Sequence, residues 1–273
     1  MLRSDAASGP AEGSSSLSEG ERKERLARAK LLLIFTPGLA PGSASRDPVD
    51  ASLAALEAAL PHVDIIQVRP KAIALAVAPS AAAPSIGTGL PVTSARAAYD
   101  WCLRVADLLA QVPSTDRPLL MVNDRVDVAK ALLGRGVDGV HVGRGDMPAN
   151  AARTVLGTGA LIGLSTHTTQ DLGQAWDAPV DTLGYGPIFP TATKGYGTSA
   201  AQADAPRPLG PERAWVAHES SPIPLFPIGG IDLSNIDQLE RVGRAAVGSA
   251  VLSAVDPGVA ARGLRQALTD TSF

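Results

Sequence analysis

The stretch PLLMVNDRVDVAKALLGRGVDGVHVG, residues 118–143, contains one complete strand–helix–strand pattern. PLLMVN and DGVHVG are short and almost continuous apolar runs, as expected for parallel strands that are covered on both faces. The segment between them, DRVDVAKALLG, has apolar residues at helical spacing and ends on Gly134, a natural helix C-terminus. The stretch therefore predicts a β-α-β unit with two parallel strands.

The same alternation continues on both sides of this unit. The other predicted strands are 31–36, 64–69, 161–166, 181–187, 223–230 and 244–250, and the other predicted helices are 47–60, 93–112, 146–157, 168–176, 210–218, 232–242 and 256–268. Eight strands, each followed by a helix, fit a (β/α)8 TIM barrel better than an open α/β sheet of about five to seven strands. We predict a single α/β barrel domain over residues 21–273, after a disordered N-terminal segment at residues 1–20.

Composition excludes several classes of protein. Apolar residues make up 45% of the 273 residues and aromatic residues only 4%, so the core is expected to be aliphatic. The formal net charge of -3 disfavours general nucleic-acid binding, which usually needs a strongly basic face. No apolar run approaches the length of a membrane span or of a secretory signal. With a single cysteine, Cys102, no internal disulfide can form, which favours a reducing, cytoplasmic setting.

Two Pro-, Ala- and Gly-rich stretches, 37–48 and 72–91, interrupt the regular spacing. Both follow strand ends and are longer than typical βα loops. They are lids, partly ordered excursions or neutral insertions, and the residues do not choose among these.

Polar residues gather at the predicted carboxyl ends of the strands, which converge on one mouth of a barrel. Strand two ends in Gln67, Arg69 and Lys71, whose i, i+2, i+4 spacing places them on one face. The remaining candidates at strand ends or in the loops that follow are Asn123, Asp124, Asp146, Ser165, Thr166, Thr191, Thr193, Lys194, Gly229, Gly230, Gly248 and Ser249.

Each candidate also has a structural interpretation. Asp124, Asp146 and the Ser165-Thr166 pair suit helix N-caps, the basic pair 69 and 71 suits a solvated edge, and the glycine pairs suit tight turns. His141 and His167 are interpreted as packed or hydrogen-bonded histidines, because no other His or Cys stands at metal-ligand spacing. Cys102 lies in an amphipathic pattern and is interpreted as core.

Taken together, the candidates indicate a site for two anionic groups. Two carboxylates at one mouth suit Mg²⁺, a hard cation that keeps water and substrate phosphates in its coordination shell. Basic residues on the same rim suit a multiply charged anion. Glycines after strands seven and eight match the usual phosphate site of barrel enzymes. A two-substrate transfer with diphosphate as leaving group needs such a combination.

Six motifs in this order resemble thiamine phosphate synthase, across roughly residues 31–255: QVRPK (67–71), VNDRVDVAKA (122–131), GVDGVHVGRGDMP (136–148), IGLSTHT (162–168), GPIFPTATK (186–194) and PIGGI (227–231). The resemblance implies a barrel enzyme that joins a hydroxymethylpyrimidine diphosphate to a thiazole phosphate, with or without a carboxyl group. Mg²⁺ is the implied cofactor, and thiamine phosphate and diphosphate are the implied products. The state of oligomerisation stays open.

The resemblance also assigns roles by motif. It implies that Asp124 and Asp146 hold the metal, and that Arg69, Lys71, Ser165 and Lys194 act in catalysis. The residues implied in substrate binding are Gln67, Val68, Arg69, Pro70, Lys71, Asn123, Ser165, Thr191, Ala192, Thr193, Lys194, Gly230, Gly248 and Ser249. No protein nucleophile is expected, because the aminopyrimidine can stabilise a cation at its exocyclic methylene once diphosphate leaves.

The chain departs from the family pattern at a few positions. Arg144-Gly145 stands where Gln-Glu usually precedes the metal aspartate, and Gly248 stands where a larger apolar residue is common. The 72–91 stretch and the residues after Lys194 are longer than usual.

Two alternatives remain: a thiazole tautomerase, which needs no diphosphate and metal set, and a non-catalytic protein that binds thiamine phosphates. Retention of both aspartates and of the three basic residues favours the synthase.

Overall fold

A computed structural model of the chain describes residues 17–40, 48–70, 95–191 and 207–269. Eight strands lie in these residues: β1 Leu31–Phe35, β2 Ile65–Val68, β3 Leu119–Asn123, β4 Gly139–Val142, β5 Leu161–Thr166, β6 Thr182–Tyr185, β7 Leu225–Pro227 and β8 Ala245–Val247. All pair in parallel, in the order β7-β6-β5-β4-β3-β2-β1-β8. A bridge between Ile228 and Ala246 joins the two outer strands, and the sheet closes into the predicted barrel.

The helices follow the strands. They are α1 Glu19–Arg28, α2 Pro48–Ala59, α3 Ala95–Leu109, α4 Val126–Leu132, α5 Ala149–Leu156, α6 Thr169–Trp176, α7 Pro211–Ser220, α8 Ser249–Leu252 and α9 Pro257–Ala267. Seven of the eight predicted βα helices are therefore confirmed in the described residues. The short helix α8, directly after β8, was not predicted.

The predicted helix at 232–242 is wrong: only Ile236–Leu239 is helical, as a single 3₁₀ turn. Local side-chain bonds explain the difference. The carboxylate of Asp232 accepts the N–H of Ser234 at 2.8 Å, and the amide oxygen of Asn235 accepts the N–H of Asp232 at 3.0 Å. Such bonds offer the backbone an alternative to the helical ladder.

The core has two layers, as a barrel requires. An inner cluster fills the barrel with Leu32, Ile65, Leu119, Met121, Leu161, Phe226 and Ala246. An outer cluster lies between the sheet and the helices, and it includes Cys102, which is fully buried. Burial raises the pKa of the Cys102 thiol to about 12, so this residue is core, as predicted.

Helix α1 covers the amino-terminal end of the barrel. Its Leu26 belongs to the inner cluster, together with Leu17 and Ala29 at the flanks of the helix. Ser18 and Glu21 form a capping box at its start. The helix begins at Glu19, so residues 19 and 20 of the segment predicted to be disordered are helical.

An aspartate stands directly before each of the strands β2, β4 and β6. The sequence around them repeats as VDII, VDGV and VDTL, at 63–66, 137–140 and 180–183. Each carboxylate accepts the N–H of the first or second residue of the preceding strand, at 2.8–2.9 Å: Asp64 from Leu31, Asp138 from Leu120 and Asp181 from Ile162. The aspartates thus satisfy backbone N–H donors at the lower rim of the barrel, which is the end where the strands begin.

Arginines neutralise these three carboxylates. Asp64 pairs with Arg265, Asp138 with Arg22 and Arg117, and Asp181 with Arg153. Arg22 comes from α1, so the middle pair also fastens that helix to the barrel. Asp138 is only 1% exposed and both of its arginines are about 90% buried, which makes this the most enclosed of the three clusters.

Candidate active site

A cavity of about 640 Å³ opens at the carboxyl ends of the strands. Of the predicted site residues, it is lined by Gln67, Arg69, Asn123, Asp124, Asp146, Ser165, Thr191, Gly230, Gly248 and Ser249. These residues come from seven of the eight strands or from the loops that follow them. The barrel therefore brings the separate motifs into one space, as the sequence predicted.

Two hydrogen-bonded pairs form the polar wall of this cavity. The Gln67 amide donates to Oδ1 of Asn123 at 2.6 Å, across the β2–β3 ladder. Nε2 of His141 lies 3.0 Å from the hydroxyl of Ser165, across the β4–β5 ladder. Gln67 and His141 are both more than 90% buried, so each pair holds its members in defined positions.

Glycines on the neighbouring strands make room for the His141 ring. A methyl group added to Gly163 on β5 would lie 2.3 Å from Nδ1 of the imidazole, and one added to Gly184 on β6 would lie 3.4 Å from the ring. The backbone register places Gly163 directly opposite His141. His141, interpreted from the sequence as a packed and hydrogen-bonded residue, is confirmed as such and also faces the cavity.

Asp124 reaches the cavity through an unusual backbone turn. Its φ is +64°, the one positive value found for a non-glycine residue in the described ranges. The N–H of Arg125 donates to the Asn123 carbonyl at 2.8 Å, which closes a three-residue turn centred on Asp124. Asp tolerates this region better than most residues, but it still costs about 1–2 kcal/mol. Strain of this kind concentrates at functional sites.

Asp146 lies on the adjacent loop, in a turn that its own side chain closes. One carboxylate oxygen accepts the N–H of Gly143 at 2.8 Å, and the N–H of Asp146 donates to the Gly143 carbonyl at 3.2 Å. Residues 144–148 of this loop are all exposed. A carboxylate has two oxygens, so this bond is compatible with coordination of a cation.

The alternative of helix caps is wrong for these residues. Helix α4 is preceded by Arg125 and α5 by Pro148, and neither has a side-chain cap. Helix α6 is capped by Thr168, in a capping box with Asp171, rather than by Ser165 or Thr166. Asp124, Asp146 and Ser165 do not cap these helices, and all three line the cavity.

The donor set fits Mg²⁺ bound together with a phosphorylated substrate. Two carboxylates from adjacent βα loops suit a cation that binds through one or two carboxylates, water and substrate phosphates. No cluster of three or more His, Cys, Asp or Glu that could hold a metal occurs within 17–40, 48–70, 95–191 and 207–269. A closed, all-protein cage, as for structural zinc, is therefore not formed by these parts of the chain.

Some of the predicted residues are not among those described at the cavity wall. Lys71, Ala192, Thr193 and Lys194 are outside the described residues, as are most of the 37–48 stretch and all of 72–91. Val68 and Pro70 are buried and do not line the cavity, so their role in substrate binding stays a prediction. Val68 belongs to the outer core, because successive side chains of a strand point to opposite faces.

The far side of the cavity is formed by the loops after β6, β7 and β8. The N–H groups of Ile188 and Phe189 donate to the carbonyls of Ile228 and Gly229 at 2.9 and 3.0 Å. Gly230 has φ +67°, and a methyl group there would lie 2.4 Å from the Pro190 carbonyl oxygen, so only glycine fits. Thr191 directly follows Pro190 in this loop, and it lines the cavity together with Gly230, Gly248 and Ser249.

Several residues of the site were missed by sequence reasoning. Asn235 donates to the Gly230 carbonyl at 2.8 Å and so holds the glycine loop. Arg144 lines the cavity and pairs with Asp171. His167, interpreted from the sequence as packed or hydrogen-bonded, is confirmed as such by the bond from its Nδ1 to the Gly186 carbonyl, and it also lines the cavity. Asn235 was hidden in a predicted helix, whereas the Arg144–Asp171 pair joins positions 27 residues apart with no spacing signal.

A family model described as Thiamine monophosphate synthase (TMP-TENI) matches residues 42–255, most of the chain. The chain belongs to this family. It is 40% identical over 173 residues to the thiamine-phosphate synthase of Synechococcus sp. (strain CC9605), which covers 63% of this chain and 46% of the relative. It is 33% identical over 241 residues to that of Gloeobacter violaceus (strain ATCC 29082 / PCC 7421), covering 88% and 57%.

A solved structure has a similar fold. The thiamine phosphate pyrophosphorylase from Pyrococcus furiosus superposes with a TM-score of 0.63 at 25% identity, over 90% of this chain and 97% of that one. The present chain spans about half of the length of the two curated relatives above. No helix in the described ranges is long and apolar enough to cross a membrane.

Proposed function

We propose that this protein is a thiamine phosphate synthase. The reaction couples 4-amino-2-methyl-5-(diphosphooxymethyl)pyrimidine with 4-methyl-5-(2-phosphoethyl)thiazole, or its carboxylated form, to give thiamine phosphate and diphosphate. The observation that carries the proposal is the convergence of the family's motifs on one cavity, with carboxylates on one wall and the glycine loops on another.

The pyrimidine belongs on the polar wall. The Gln67–Asn123 and His141–Ser165 pairs present amide, imidazole and hydroxyl groups to an aminopyrimidine ring, which carries both donors and acceptors. Because each pair is internally hydrogen-bonded, its groups are oriented before substrate binds. This arrangement holds the ring so that its exocyclic methylene faces the centre of the cavity.

The diphosphate belongs between the two aspartates and the basic residues. Asp124 and Asp146 would hold Mg²⁺, which supplies charge neutralisation of the leaving diphosphate when it is bound. Arg69 also lines the cavity, and Lys71 and Lys194 are assigned to the same anion by their motifs. Fixed positive groups favour the state in which the carbon–oxygen bond has broken and negative charge has moved to the diphosphate.

The thiazole phosphate belongs on the far side of the cavity, which is formed by the loops after β6, β7 and β8. Backbone N–H groups around Gly230 and the Gly248-Ser249 pair, with the Thr191 hydroxyl, suit a phosphate monoester. Ala192 and Thr193 extend the same segment. Anchoring the phosphate there places the thiazole nitrogen toward the pyrimidine methylene, so that proximity supplies much of the rate enhancement of the bond-forming step.

The test is a product assay with purified protein. With both substrates and Mg²⁺, thiamine phosphate and diphosphate should form in equal amounts, and removal of the metal by a chelator should stop both. Release of diphosphate at an unchanged rate without the thiazole phosphate, or no release at all, contradicts the proposal. Isomerisation of the thiazole carboxylate without diphosphate turnover would instead identify a tautomerase.

A further inference from the structure

Arg144 lies in the same turn as Asp146 but directs its side chain away from it. The guanidinium crosses to the first turn of helix α6 and pairs with the Asp171 carboxylate at 2.7 Å. Arg144 itself lines the cavity mouth and its side chain is 64% exposed.

The Asp171 carboxylate is buried and held in place by hydrogen bonds. Its side chain is only 8% exposed, and one of its oxygens accepts the N–H groups of His167 and Thr168, both at 3.0 Å. Burial alone would raise the pKa of Asp171, but the backbone N–H of His167, the Thr168 hydroxyl and the Arg144 charge together hold the pKa below its ordinary value. The carboxylate is therefore ionised at neutral pH.

The contacts continue into a third loop. His167, whose N–H binds Asp171, donates from Nδ1 to the carbonyl of Gly186, the residue that opens the segment leading to Thr191. A continuous series of polar contacts thus joins the loop that carries Asp146, the end of the strand that carries Ser165, and the loop after β6. All three border the same cavity.

The Asp146 turn needs such an attachment. Residues 144–148 are exposed, and Asp146 and Gly143 bond mainly to each other, which shapes the turn but does not fix it to the barrel. An ion pair with an exposed partner contributes little to folding stability. The ion pair between Arg144 and Asp171 therefore has its main effect on the position of the Asp146 carboxylate.

We propose that Arg144 and Asp171 are positioning residues, which act through each other to hold Asp146 in the geometry that binds Mg²⁺ with diphosphate. The inference rests on the metal site of the proposed function. It predicts that loss of either partner weakens metal binding without changing the fold. Residues that orient metal ligands typically change metal affinity by about 10–100-fold when removed.

The experiment measures Mn²⁺ binding to the full chain in the presence of saturating inorganic diphosphate, by calorimetry or water-proton relaxation, separately from turnover. The variants are Arg144→Ala, Asp171→Asn and the double variant. Asn keeps an acceptor for the His167 and Thr168 N–H groups and removes only the charge. We expect each single variant to bind Mn²⁺ about 10-fold more weakly, with the double variant no weaker than the singles.

Controls separate positioning from other causes. Arg144→Lys should recover most of the affinity, and Arg96→Ala, which removes an exposed ion pair with Asp100 on α3, should change nothing. Thermal unfolding midpoints should shift by no more than about 2 °C in all variants. A 10-fold loss in Arg144→Ala with normal binding in Asp171→Asn means that Arg144 contacts the diphosphate directly, and it overturns the proposal.

Normal Mn²⁺ binding in both single variants also overturns it. If the unsubstituted protein binds no Mn²⁺ with diphosphate, the metal site is absent and the positioning role fails with it. If the unsubstituted protein binds Mn²⁺ and the variants weaken it as expected, but no thiamine phosphate forms in the product assay, the proposed function fails while the positioning role stands.

Discussion

The two ends of the barrel use the same residue type for opposite purposes. At the amino-terminal end, Asp138 is 1% exposed and pairs with two arginines of its own chain while it accepts a backbone N–H from β3. At the carboxyl-terminal end, Asp124 and Asp146 line a cavity. The same end carries the strained turn at Asp124 and the exposed loop of Asp146.

The difference shows how a barrel separates stability from function. Carboxylates that are enclosed by arginines complete the lower rim, and their charge is already compensated by the protein. Carboxylates on a cavity wall can be compensated by a cation that arrives with substrate. The comparison predicts that substitutions at the lower rim change stability more than specific activity, and that substitutions at the mouth do the reverse.

The largest effect is expected at Asp138. Asp138→Ala leaves two buried guanidinium groups without their carboxylate and should lower the free energy of unfolding by about 3–5 kcal/mol. Urea unfolding followed by circular dichroism measures this, with the exposed-pair variant Asp100→Ala as control. Activity per folded molecule should stay near that of the unsubstituted protein, and a selective loss of activity in a stable Asp138→Ala protein would break the comparison.

Asp124 should show the opposite pattern. Asp124→Asn keeps the size of the side chain and tolerates positive φ, so it isolates the charge. We expect kcat/KM for thiamine phosphate formation to fall by about 100-fold or more, with an unfolding midpoint close to that of the unsubstituted protein. Asp124→Ala should lose activity as well, but part of its loss reflects a strained backbone. Near-normal turnover of folded Asp124→Asn would count against a metal role.

Gly163 tests the comparison at a residue that matters for both stability and function, because its lack of a side chain makes room for the His141 ring. The added methyl of Gly163→Ala would lie 2.3 Å from Nδ1 of His141, so the imidazole must move. We expect a loss of about 1–3 kcal/mol in unfolding free energy, with reduced turnover because Ser165 loses its oriented partner. Gly173→Ala on α6, where a methyl group meets nothing within 4 Å, is the control and should be stabilising. Unchanged stability in Gly163→Ala would contradict the packing described around His141.

The smallest effect concerns the pH dependence of stability through Asp171. Its pKa in the folded protein lies below 3.8, so its charge stabilises the fold fully above about pH 4. That contribution is lost as the pH falls through the lowered pKa. Compared with Asp171→Asn, the unsubstituted protein should be more stable by about 1 kcal/mol or less at pH 7, and the difference should shrink below pH 4. Urea titrations at several pH values test this, and a difference that grows toward low pH would refute it.

Much of the fold was predictable because the strands are buried on both faces. Such strands are near-continuous apolar runs, and each predicted run is a strand in the structure, from 31–35 to 245–247. The convergence of Gln67, Asn123, Asp124, Asp146 and Ser165 also followed from strand order alone. In a parallel barrel, every carboxyl end meets at the same mouth.

What could not be predicted depends on side-chain bonds over long distances or on local competition with helix formation. The Asp232–Asn235 turn replaced a helix that the apolar spacing indicated. The lower-rim aspartates do have a sequence signal, the repeated Val-Asp, but its meaning depends on arginines from distant elements, such as Arg22 on α1. The positive φ of Asp124 has no signal in its neighbours, which suggest an ordinary helix cap.

The most direct test of the account is the location of a bound divalent cation. Crystals of the protein grown with Mn²⁺ and inorganic diphosphate allow the metal to be placed by anomalous scattering. We expect one strong peak in contact with carboxylate oxygens of both Asp124 and Asp146, at about 2.2 Å. A peak that lies away from these two residues, or none at all at saturating Mn²⁺ and diphosphate, would contradict it.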